Sequence, residues 1–406
     1  MHILLIHQAF ATLDEAGGTR HAELALYLAE QGHRVTVIAS PVSYLTGESS
    51  VKQKWVTKTQ PAPNLTIYRC YTYSALHKSF IHRVFSFLSF MASSFFTALQ
   101  VRAVDIVWGT SPPIFQGATV WLVARLKRSS FLLEVRDLWP AFAIAVGVLK
   151  NKLLIRASEW LERFLYRHAD RVLVNSPGFI DHVTAHGANQ VTLIPNASDV
   201  DMFAARADPV AFRDRYGLFD CFLVVYAGAH GLSNDLDVVL DAADILKSDT
   251  KIRIVLVGDG KEKPALMAKA ELQNLSNVSF LPPQPKRSMP DVLGAADACL
   301  AILKPLELFK TTYPNKVFDY MAAGKPVILA IDGVIRQVVE AAGGGIFVQP
   351  GNPQALATAI KNLAAKPTQA KAMGQAGYRH VNKYFNRLDI ARQLLALLEQ
   401  MSGKKY

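Results

Sequence analysis

Short apolar runs of strand length alternate with helical patterns through the first half of the chain. Between the runs, Arg20–Gln31 and Asn151–His168 place apolar residues at the spacing of an amphipathic helix. This alternation predicts a doubly wound parallel sheet. The predicted strands of this half are Ile3–Ile6, Arg34–Ala39, Ile67–Tyr71, Ile106–Trp108, Phe131–Val135, Arg171–Asn175 and Val191–Ile194.

The same pattern starts again after Pro195 and predicts a second α/β domain. Helices are expected from about Leu236 to Lys247, after the strand Ile252–Val257 as far as Leu275, and over 353–400. The linker is expected within 196–220. The fold class is therefore α/β, with two Rossmann-like domains whose boundary is expected near residue 200. The predicted strands of this half are Phe222–Ala227, Ile252–Val257, Val278–Leu281, Ala298–Ile302, Val327–Ala330 and Gly345–Val348.

Two long uncharged segments raise the question of a membrane span. Val84–Val101 has no charged residue, but serines interrupt it, which favours a core or interfacial helix. Prolines and a glycine divide Ile106–Ala124 into strand, loop and helix.

His2–Ile6 is too short and lacks the basic flank of a secretory signal, so a first strand is predicted there. We expect no membrane span.

Length and composition fit a globular protein of two domains. The chain has 406 residues, of which 50% are hydrophobic and 19% are charged. The cysteines, Cys70, Cys221 and Cys299, have neither disulfide-framework nor metal-ligand spacing, which indicates a reducing, cytoplasmic compartment.

The excess of positive charge, +11 in total, includes a segment from Ser49 to Val104 that contains no acidic residue. Aromatic residues lie among its basic ones, a combination that favours the anionic surface of a membrane. A solvated basic face over a packed helix remains the alternative. No nucleic-acid-binding motif accompanies these charges, so a nucleic acid is not an expected partner. The basic residues of the segment are Lys52, Lys54, Lys58, Arg69, Lys78, Arg83 and Arg102.

Candidate chemistry in the first half follows two predicted strands, because ligands of parallel sheets lie beyond the carboxyl ends of strands. Gly17 and Gly18 precede a helix and could bring backbone N–H groups to a phosphate, although a plain turn explains them equally well. Arg136 and Asp137 follow another strand, where they form either part of a cleft or a salt bridge at the sheet edge.

In the second half, glycines follow two consecutive predicted strands. Gly228 and Gly231 come after the first, and Gly258 and Gly260 after the second. Gly258-Asp259-Gly260 is half of a dinucleotide fingerprint and is weak evidence for an oxidoreductase. Pro282 ends the next strand.

Other acidic residues and histidines give no metal site in the sequence. Asp199 and Asp201 form an Asp-x-Asp triplet at the predicted domain boundary, and we interpret them as capping and linker residues. His182 and His186 lie four residues apart on a predicted helix without the glutamate of a zinc-hydrolase motif, so a solvated helix face is predicted there.

The most informative segment is Pro314–Val327, which predicts a loop, a helix and a buried strand. Lys316 and Asp319 lie one turn apart near the positive end of that helix, a place suited to an anion with a neighbouring diol. A nucleotide sugar has both groups. The segment resembles the carboxy-terminal signature of retaining glycosyltransferases of family four, which have the two-domain GT-B fold, and the resemblance covers nearly the whole chain.

The resemblance implies a donor site and its residues. Gly17 and Gly18 would line the donor diphosphate and Asp319 would hold the ribose, with Asn315 beside it. Gly258 and Gly260 would lie near the base, and Pro282 where backbone groups contact a uracil edge. Arg136 or Asp137 would face the transferred sugar or the acceptor. The last helix, about 380–406, would cross back to the first domain, 1–200, leaving 201–379 as the nucleotide-sugar domain.

The chain also departs from the general family pattern. Ala229 stands where an arginine usually contacts the diphosphate, and Thr311 stands at the first position of the paired carboxylates, with Glu307 nearby. Lys316 is then the expected cation for the diphosphate and the leading catalytic residue, with Lys310 and Arg136 as helpers. The glycines at 228 and 231 resemble a subgroup that makes bacterial surface glycans.

The resemblance, together with these features, implies a metal-independent, retaining hexosyl- or N-acetylhexosaminyltransferase without a cofactor. It would move a sugar from a nucleotide-diphosphate donor, most simply a UDP-sugar, to a lipid-linked saccharide on the cytoplasmic leaflet. Two other functions stay open at this point: a nucleotide-sugar epimerase of similar shape, and a non-catalytic membrane-associated assembly protein.

Overall fold

The structure is a computed structural model that describes the chain except for residues 44–46, 48, 50–53, 75–79, 205–207 and 404–406. The predicted basic residues Lys52 and Lys78 lie outside the described part. The chain divides into two compact units. Unit 1 comprises Met1–Leu13, Gly17–Pro195 and Leu388–Tyr406, and unit 2 comprises Asp14–Ala16 and Asn196–Arg387.

Within the described residues, unit 1 is built on an 8-stranded sheet in the order β3-β4-β2-β1-β5-β6-β7-β8. All neighbours are parallel except β3 and β4, which form an antiparallel pair. The strands are β1 (His2–Ile6), β2 (Arg34–Ala39), β3 (Val56–Ala62), β4 (Leu65–Cys70), β5 (Ile106–Ser111), β6 (Ser130–Val135), β7 (Arg171–Val174) and β8 (Val191–Leu193).

The helices of unit 1 follow the apolar periodicity of the sequence. The predicted uncharged helix is present as α2, and within the described residues no helix is long and apolar enough to cross a membrane. The helices are α1 (Arg20–Glu30), α2 (Phe80–Gln100), α3 (Ile114–Lys127), α4 (Ala141–Ala145), α5 (Lys152–His168), α6 (Ile180–Ala185) and, at the end of the chain, α16 (Arg387–Ser402).

Unit 2 contains a 6-stranded sheet, parallel throughout its described part, in the order β11-β10-β9-β12-β13-β14. The chain moves outward in one direction from β9 and then in the other from β12, so the order reverses between these two strands. The strands are β9 (Phe222–Ala227), β10 (Ile252–Val257), β11 (Val278–Leu281), β12 (Ala298–Ile302), β13 (Val327–Ala330) and β14 (Gly345–Phe347).

Helices cover both faces of this second sheet, and the apolar side chains between the layers form two cores. Asp199 caps α7, because its carboxylate accepts the backbone N–H of Met202 at 3.0 Å, as the capping interpretation predicts. The helices are α7 (Val200–Ala204), α8 (Pro209–Tyr216), α9 (Leu236–Ile245), α10 (Lys263–Leu272), α11 (Met289–Ala295), α12 (Asn315–Ala322), α13 (Val334–Ala342), α14 (Pro353–Ala365) and α15 (Pro367–Tyr384).

Candidate active site

In unit 2, the loops after β9 and β10 pack against each other at the point where a parallel sheet binds ligands. The N–H of Gly228 donates to the carbonyl of Val257, and the N–H of His230 donates to that of Asp259. A Cβ on Gly258 would clash with the carbonyl oxygen of Gly228, and φ is +146° at Gly258. The glycine is therefore required for the close approach of two backbones, whatever it contacts in a ligand.

We predict that Gly258→Ala lowers the melting temperature by at least about 4 °C, because a clash with backbone cannot be relieved by a rotamer change. Gly231→Ala is the matched control, since nothing lies within 4 Å of the added methyl group. Thermal unfolding of the two variants beside the parent checks this. Equal melting temperatures for all three proteins would contradict it.

Lys316 enters the same corner from the first turn of α12. Its ammonium lies 3.9 Å from the centroid of the Tyr226 ring. A Cβ on Gly228 would fall 2.5 Å from the Lys316 Nζ, so a larger residue at 228 would displace the ammonium from this position. Among the described residues no carboxylate pairs with Lys316. Lys316 and Gly228, both predicted donor-site residues, are thus in contact, and their role at a donor stays a prediction.

Burial lowers the pKa of Lys316 to about 7. An anion beside the ammonium would raise that pKa again, because an opposite charge favours the protonated form. When protonated, Lys316 is a cation in a poorly hydrated place, where a phosphate gains most from one positive charge.

This pKa predicts how donor binding depends on pH. Below pH 7 the lysine is already charged, whereas above pH 7 binding of an anion must first return a proton to it. The dissociation constant of a UDP-sugar should therefore rise by about tenfold between pH 7 and 8.5. Both phosphates of this probe are esterified and do not titrate in that range. Calorimetric titration checks this, with Lys316→Met expected to bind weakly and without the slope. A flat profile for the parent would contradict the prediction.

Asp319, one turn after Lys316, is engaged within the protein. Its carboxylate accepts from the hydroxyl of Ser198 at 2.7 Å and from the amide of Asn315 at 3.1 Å. The ammonium of Lys286, which is 6% exposed, lies 2.7 Å from the same carboxylate. The amide oxygen of Asn315 accepts from Arg387 at 3.1 Å. Ser198, Lys286 and Arg387 were not predicted, and the role of Asp319 and Asn315 at a ribose stays a prediction.

His230 is a further residue that the sequence did not single out. It lies in the turn between Gly228 and Gly231, is fully buried, and neither ring nitrogen has a hydrogen-bond partner within the described part of the chain. Burial lowers its pKa to about 4, so the imidazole is neutral at pH 7. The carbonyl of His230 leaves no room for a Cβ on Gly260, which explains the second glycine of the Gly-x-Gly motif.

Two further predicted donor residues have different surroundings. Lys310 lies 2.8 Å from Glu307 and 3.9 Å from Asp332, so its charge is balanced by carboxylates of the protein. Its role as a helper of Lys316 stays a prediction. Glu307, 86% exposed, is committed to the same ion pair, and Thr311 donates its hydroxyl to the carbonyl of Leu308. Pro282 is exposed at the end of β11, and its contact with a base stays a prediction.

In unit 1, the predicted glycines precede α1 and are exposed. Gly17 has φ of +149°, and a Cβ there would fall 3.0 Å from the Cβ of Ala11, whereas Gly18 has open space around it. Their backbone groups are therefore accessible at the amino-terminal end of α1, a favourable place for an anion.

Arg136 and Asp137 follow β6 at the carboxyl edge of the same sheet. Arg136 donates to the carbonyl of Pro112 at 2.9 Å, and its buried Nε has no partner within the described residues. Burial raises the pKa of Asp137 to about 6, against the opposing effect of Arg136. The predicted ion pair is not among the ion pairs of the described residues. The two side chains are thus polar groups with spare hydrogen-bonding capacity.

A buried network that the sequence did not reveal lies beside them. Glu134, the penultimate residue of β6, is fully buried. Its carboxylate accepts from Arg20 at 3.0 Å, from His21 at 2.7 Å and from the indole of Trp108 at 3.1 Å. Burial alone would raise the pKa of Glu134, but the charges of His21 and Arg20 and the His21 hydrogen bond outweigh it and hold the pKa well below its usual range. The network joins α1, β5 and β6.

His7, directly after β1, borders this network. It shares a hydrogen bond of 2.7 Å with the hydroxyl of Thr110, and its ring lies 4.4 Å from that of His21. Its Nε2 is buried without a partner in the described part of the chain. Burial lowers the pKa of His7 well below its ordinary value. A neutral imidazole therefore lies at the sheet position where the strand order reverses, between β1 and β5.

Comparison with known proteins agrees with this architecture. The family model "Glycosyl transferase 4-like domain" matches residues 16–197, and "Glycosyl transferases group 1" matches residues 221–366. The first match ends two residues after Pro195, the last residue of unit 1 before unit 2 resumes, and the second match lies within unit 2.

One curated relative and two solved structures illustrate the likeness. The chain is 26% identical over 382 residues, 90% of this chain and 93% of the relative, to the Escherichia coli K12 protein named "Putative colanic acid biosynthesis glycosyl transferase WcaI". The structure of sucrose-phosphate synthase from Thermosynechococcus elongatus superimposes with a TM-score of 0.75 at 19% identity, covering 98% of each chain. Anabaena HepE in complex with UDP-glucose gives 0.71 at 17% identity, covering 98% of this chain and all of HepE.

Sequence and fold thus point the same way, and the predicted fold class is confirmed: two parallel-sheet α/β units of the GT-B type. Transfer of a sugar is the activity that the matched family models share, which leaves the epimerase and the assembly protein without support. The chain belongs to the family-four type of glycosyltransferases, enzymes of the GT-B fold.

Proposed function

We propose that this glycosyltransferase takes a sugar from a UDP-sugar and attaches it, with retention of configuration and without a metal ion, to a lipid-linked glycan. The reaction would serve bacterial surface polysaccharide biosynthesis on the cytoplasmic leaflet of the membrane. The proposal rests on one observation above all: the ammonium of Lys316, without a carboxylate partner in the described part of the chain, lies against Gly228 at the carboxyl end of β9.

The donor assignment has support from two sides. A half-buried cation, backbone N–H groups and the first turn of α12 are groups that favour binding of a diphosphate. The structure of HepE, which shares this fold, contains UDP-glucose. The relation to WcaI, named for colanic acid biosynthesis, supports a surface-glycan product.

In the proposed reaction, the bond between the anomeric carbon of the sugar and the diphosphate oxygen breaks. The acceptor hydroxyl forms its new bond on the same face of the sugar, and its proton passes to the departing diphosphate. Lys316 stabilises the charge that grows on that diphosphate, and the contact of Gly17 and Gly18 with a donor stays a prediction. Each such hydrogen-bond donor commonly contributes about 2.7–4 kcal/mol. Arg136 and Asp137 would orient the sugar or the acceptor.

The acceptor assignment rests on a layer of helices in unit 1. The α2 helix packs against α3, and α3 packs against α5. Each exposes large apolar side chains on its outer surface, more than single scattered residues would explain. They are Phe85, Leu88, Phe96 and Leu99 of α2, Leu122 and Leu126 of α3, and Leu153, Leu154 and Trp160 of α5.

Basic side chains accompany this apolar surface. Arg156, Trp160, Arg163 and Arg167 follow one another at helical spacing along α5, and the last turn of α3 contains Arg125 and Lys127. Apolar and cationic groups on one helical layer fit the interface of an anionic membrane. The expected membrane surface therefore extends beyond the predicted segment 49–104.

Part of that predicted segment faces the protein instead. The guanidinium of Arg69 donates to the carbonyls of Phe10 and Ser40 at 2.8 Å each, and Phe90 is fully buried. Exposed members such as Lys54, Trp55 and Lys58 remain available to a membrane. Because Arg69 and Phe90 face the protein, the segment does not act as one basic aromatic surface, as the sequence had led us to expect.

We predict that Leu126→Ser, Leu153→Ser and Trp160→Ser combined weaken binding to phosphatidylglycerol-containing vesicles by at least about tenfold, because each removes exposed apolar area. Vesicle flotation measures this. Leu272→Ser in unit 2, at a side chain that is 83% exposed, is the control. Equal binding by parent and triple variant would contradict the membrane surface without affecting the donor assignment.

A thermal-shift screen of nucleotides and nucleotide sugars tests the donor. Bound ligand raises the apparent stability, by about 2.7 kcal/mol at 100 times its dissociation constant. We expect UDP and one or a few UDP-sugars to give the largest shifts, with the shift reduced in Lys316→Met. Larger shifts from another nucleoside diphosphate would overturn the choice of uracil, and no shift from any nucleotide sugar would overturn the donor site. Incubation of the best donor without acceptor should leave its sugar unchanged.

A further inference from the structure

Two histidines and a glutamate that have no role assigned above meet in unit 1. Glu162 belongs to α5, His182 to α6, and His186 follows α6 directly. The Nε2 atom of His182 lies 2.9 Å from one carboxylate oxygen of Glu162, and the Nε2 atom of His186 lies 3.9 Å from the other. One candidate ligand atom from each residue lies within 4.8 Å of the other two.

This arrangement corrects the sequence-based prediction of a solvated helix face. The spacing of His182 and His186 does place them on one face, and their rings stack at 4.0 Å with an interplanar angle of 18°. That face is turned toward Glu162, which is 1% exposed, and the histidine side chains are only 20% and 25% exposed. The third residue comes from a different helix, which is why the sequence spacing did not reveal it.

The surrounding hydrogen bonds prepare these atoms as ligands. The Nδ1 atom of His186 lies 2.7 Å from the carbonyl oxygen of His182, which can only accept, so Nδ1 carries the proton and Nε2 keeps its lone pair in the neutral ring. The hydroxyl of Tyr166 donates to Glu162 at 3.1 Å. Histidine ligands of metals commonly donate their second ring N–H to a carbonyl in this way, and ligating carboxylates are themselves hydrogen-bonded.

We propose that Glu162, His182 and His186 form a zinc site, with water at the fourth position. Zinc bonds of about 2.0–2.1 Å in a tetrahedron place neighbouring ligand atoms about 3.3–3.4 Å apart. The two histidine nitrogens lie 2.9 and 3.9 Å from the two carboxylate oxygens of Glu162, on either side of that value, so zinc binding requires the side chains to rotate until one atom of each residue reaches the ion. The partial exposure of the histidines leaves an open side for the water. Two histidines with one glutamate are a known protein ligand set for zinc.

The site would join α5 to α6. Its ion would hold the two helices more firmly than the hydrogen bond between Glu162 and His182 alone, because folding and metal binding are coupled. A metal-free reading exists, in which a protonated histidine pairs with Glu162. The two readings differ in one measurable property, which is specific uptake of a transition metal.

The test uses the full-length protein, without a polyhistidine tag, after removal of metals by chelation. We expect one equivalent of Zn²⁺ to bind with a dissociation constant of about 1 μM or tighter and to raise the melting temperature. Substitution of Co²⁺ should give the visible absorption of a tetrahedral complex. Ca²⁺, which prefers oxygen ligands, should have no such effect.

His182→Gln and His186→Gln are each expected to weaken zinc binding by more than about tenfold and to abolish the zinc-dependent shift. His168→Gln is the matched control, at an exposed histidine of α5 outside the cluster. Circular dichroism confirms that each variant is folded. The proposal would be overturned if the parent does not bind zinc. It would also be overturned if His182→Gln and His186→Gln bind zinc as tightly as the parent does. Because no readout uses sugar transfer, the zinc site and the transferase proposal fail or stand separately.

Discussion

Lys316→Ala is expected to lower the turnover number by about 100- to 1,000-fold, the range found when one preorganised donor to a developing anion is lost. The lysine lies where the leaving diphosphate is proposed to bind. Without a metal ion in the scheme, its charge would be the largest single source of electrostatic stabilisation there. Steady-state kinetics with the donor found in the nucleotide screen measures the effect.

Two controls sharpen that experiment. Lys361→Ala removes an exposed lysine of α14 in the same unit and should leave the turnover number near that of the parent. Chelator should leave the rate of the parent unchanged at a temperature well below unfolding. If Lys316→Ala retains near-parental turnover, its proposed role is refuted. Loss of rate with chelator in His186→Gln, which lacks a ligand of the proposed zinc site, would refute metal independence.

Glu134→Leu is expected to destabilise the protein by about 3–5 kcal/mol, because it leaves the buried guanidinium of Arg20 without its counter-charge. For a domain of this size the melting temperature would fall by about 10 °C. Calorimetry on the apo protein measures this. Glu30→Gln, at an exposed acid of α1 in the same unit, is the control and should change little.

The pH dependence of the folding stability tests the Glu134 network in a second way. Since the pKa of Glu134 is lower in the folded protein than in the unfolded chain, its stabilisation is present above about pH 4.3 and is lost as the pH falls further. The difference in stability between the parent and Glu134→Gln should therefore shrink on acidification. A difference that is constant from pH 7 to pH 3 would show that Glu134 acts through packing rather than charge.

The strands show how far hydrophobic pattern alone reaches. Five predicted strands of unit 2 match the structure at both ends, because buried parallel strands are continuous apolar runs between turn residues. The strand Val56–Ala62 was not predicted. It lies at the edge of its sheet, is largely exposed, and contains Lys58 and Pro61, so it lacks an apolar run. Its place depends on antiparallel pairing with β4, which is a tertiary contact.

The candidate site shows the same division. Lys316 and the glycines were found because each lies within a short motif whose spacing has a physical meaning. Lys286 and Ser198 were not found, since each contacts Asp319 from a distant part of the chain. Ser198 and Asp319 are 121 residues apart. The Glu134 network was missed for the same reason, as Arg20 and Glu134 are 114 residues apart. A sequence shows which residues can ionise, but not which of them share a buried partner.

Arg20 has a practical consequence for dissecting the enzyme. Besides Glu134, its guanidinium donates to the carbonyl oxygens of Ile194 and Pro195, each at 2.7 Å. A fragment truncated before Ile194 would bury an arginine with two unsatisfied donors, a heavy penalty for an isolated domain. Expression of the amino-terminal half on its own should therefore extend through Pro195.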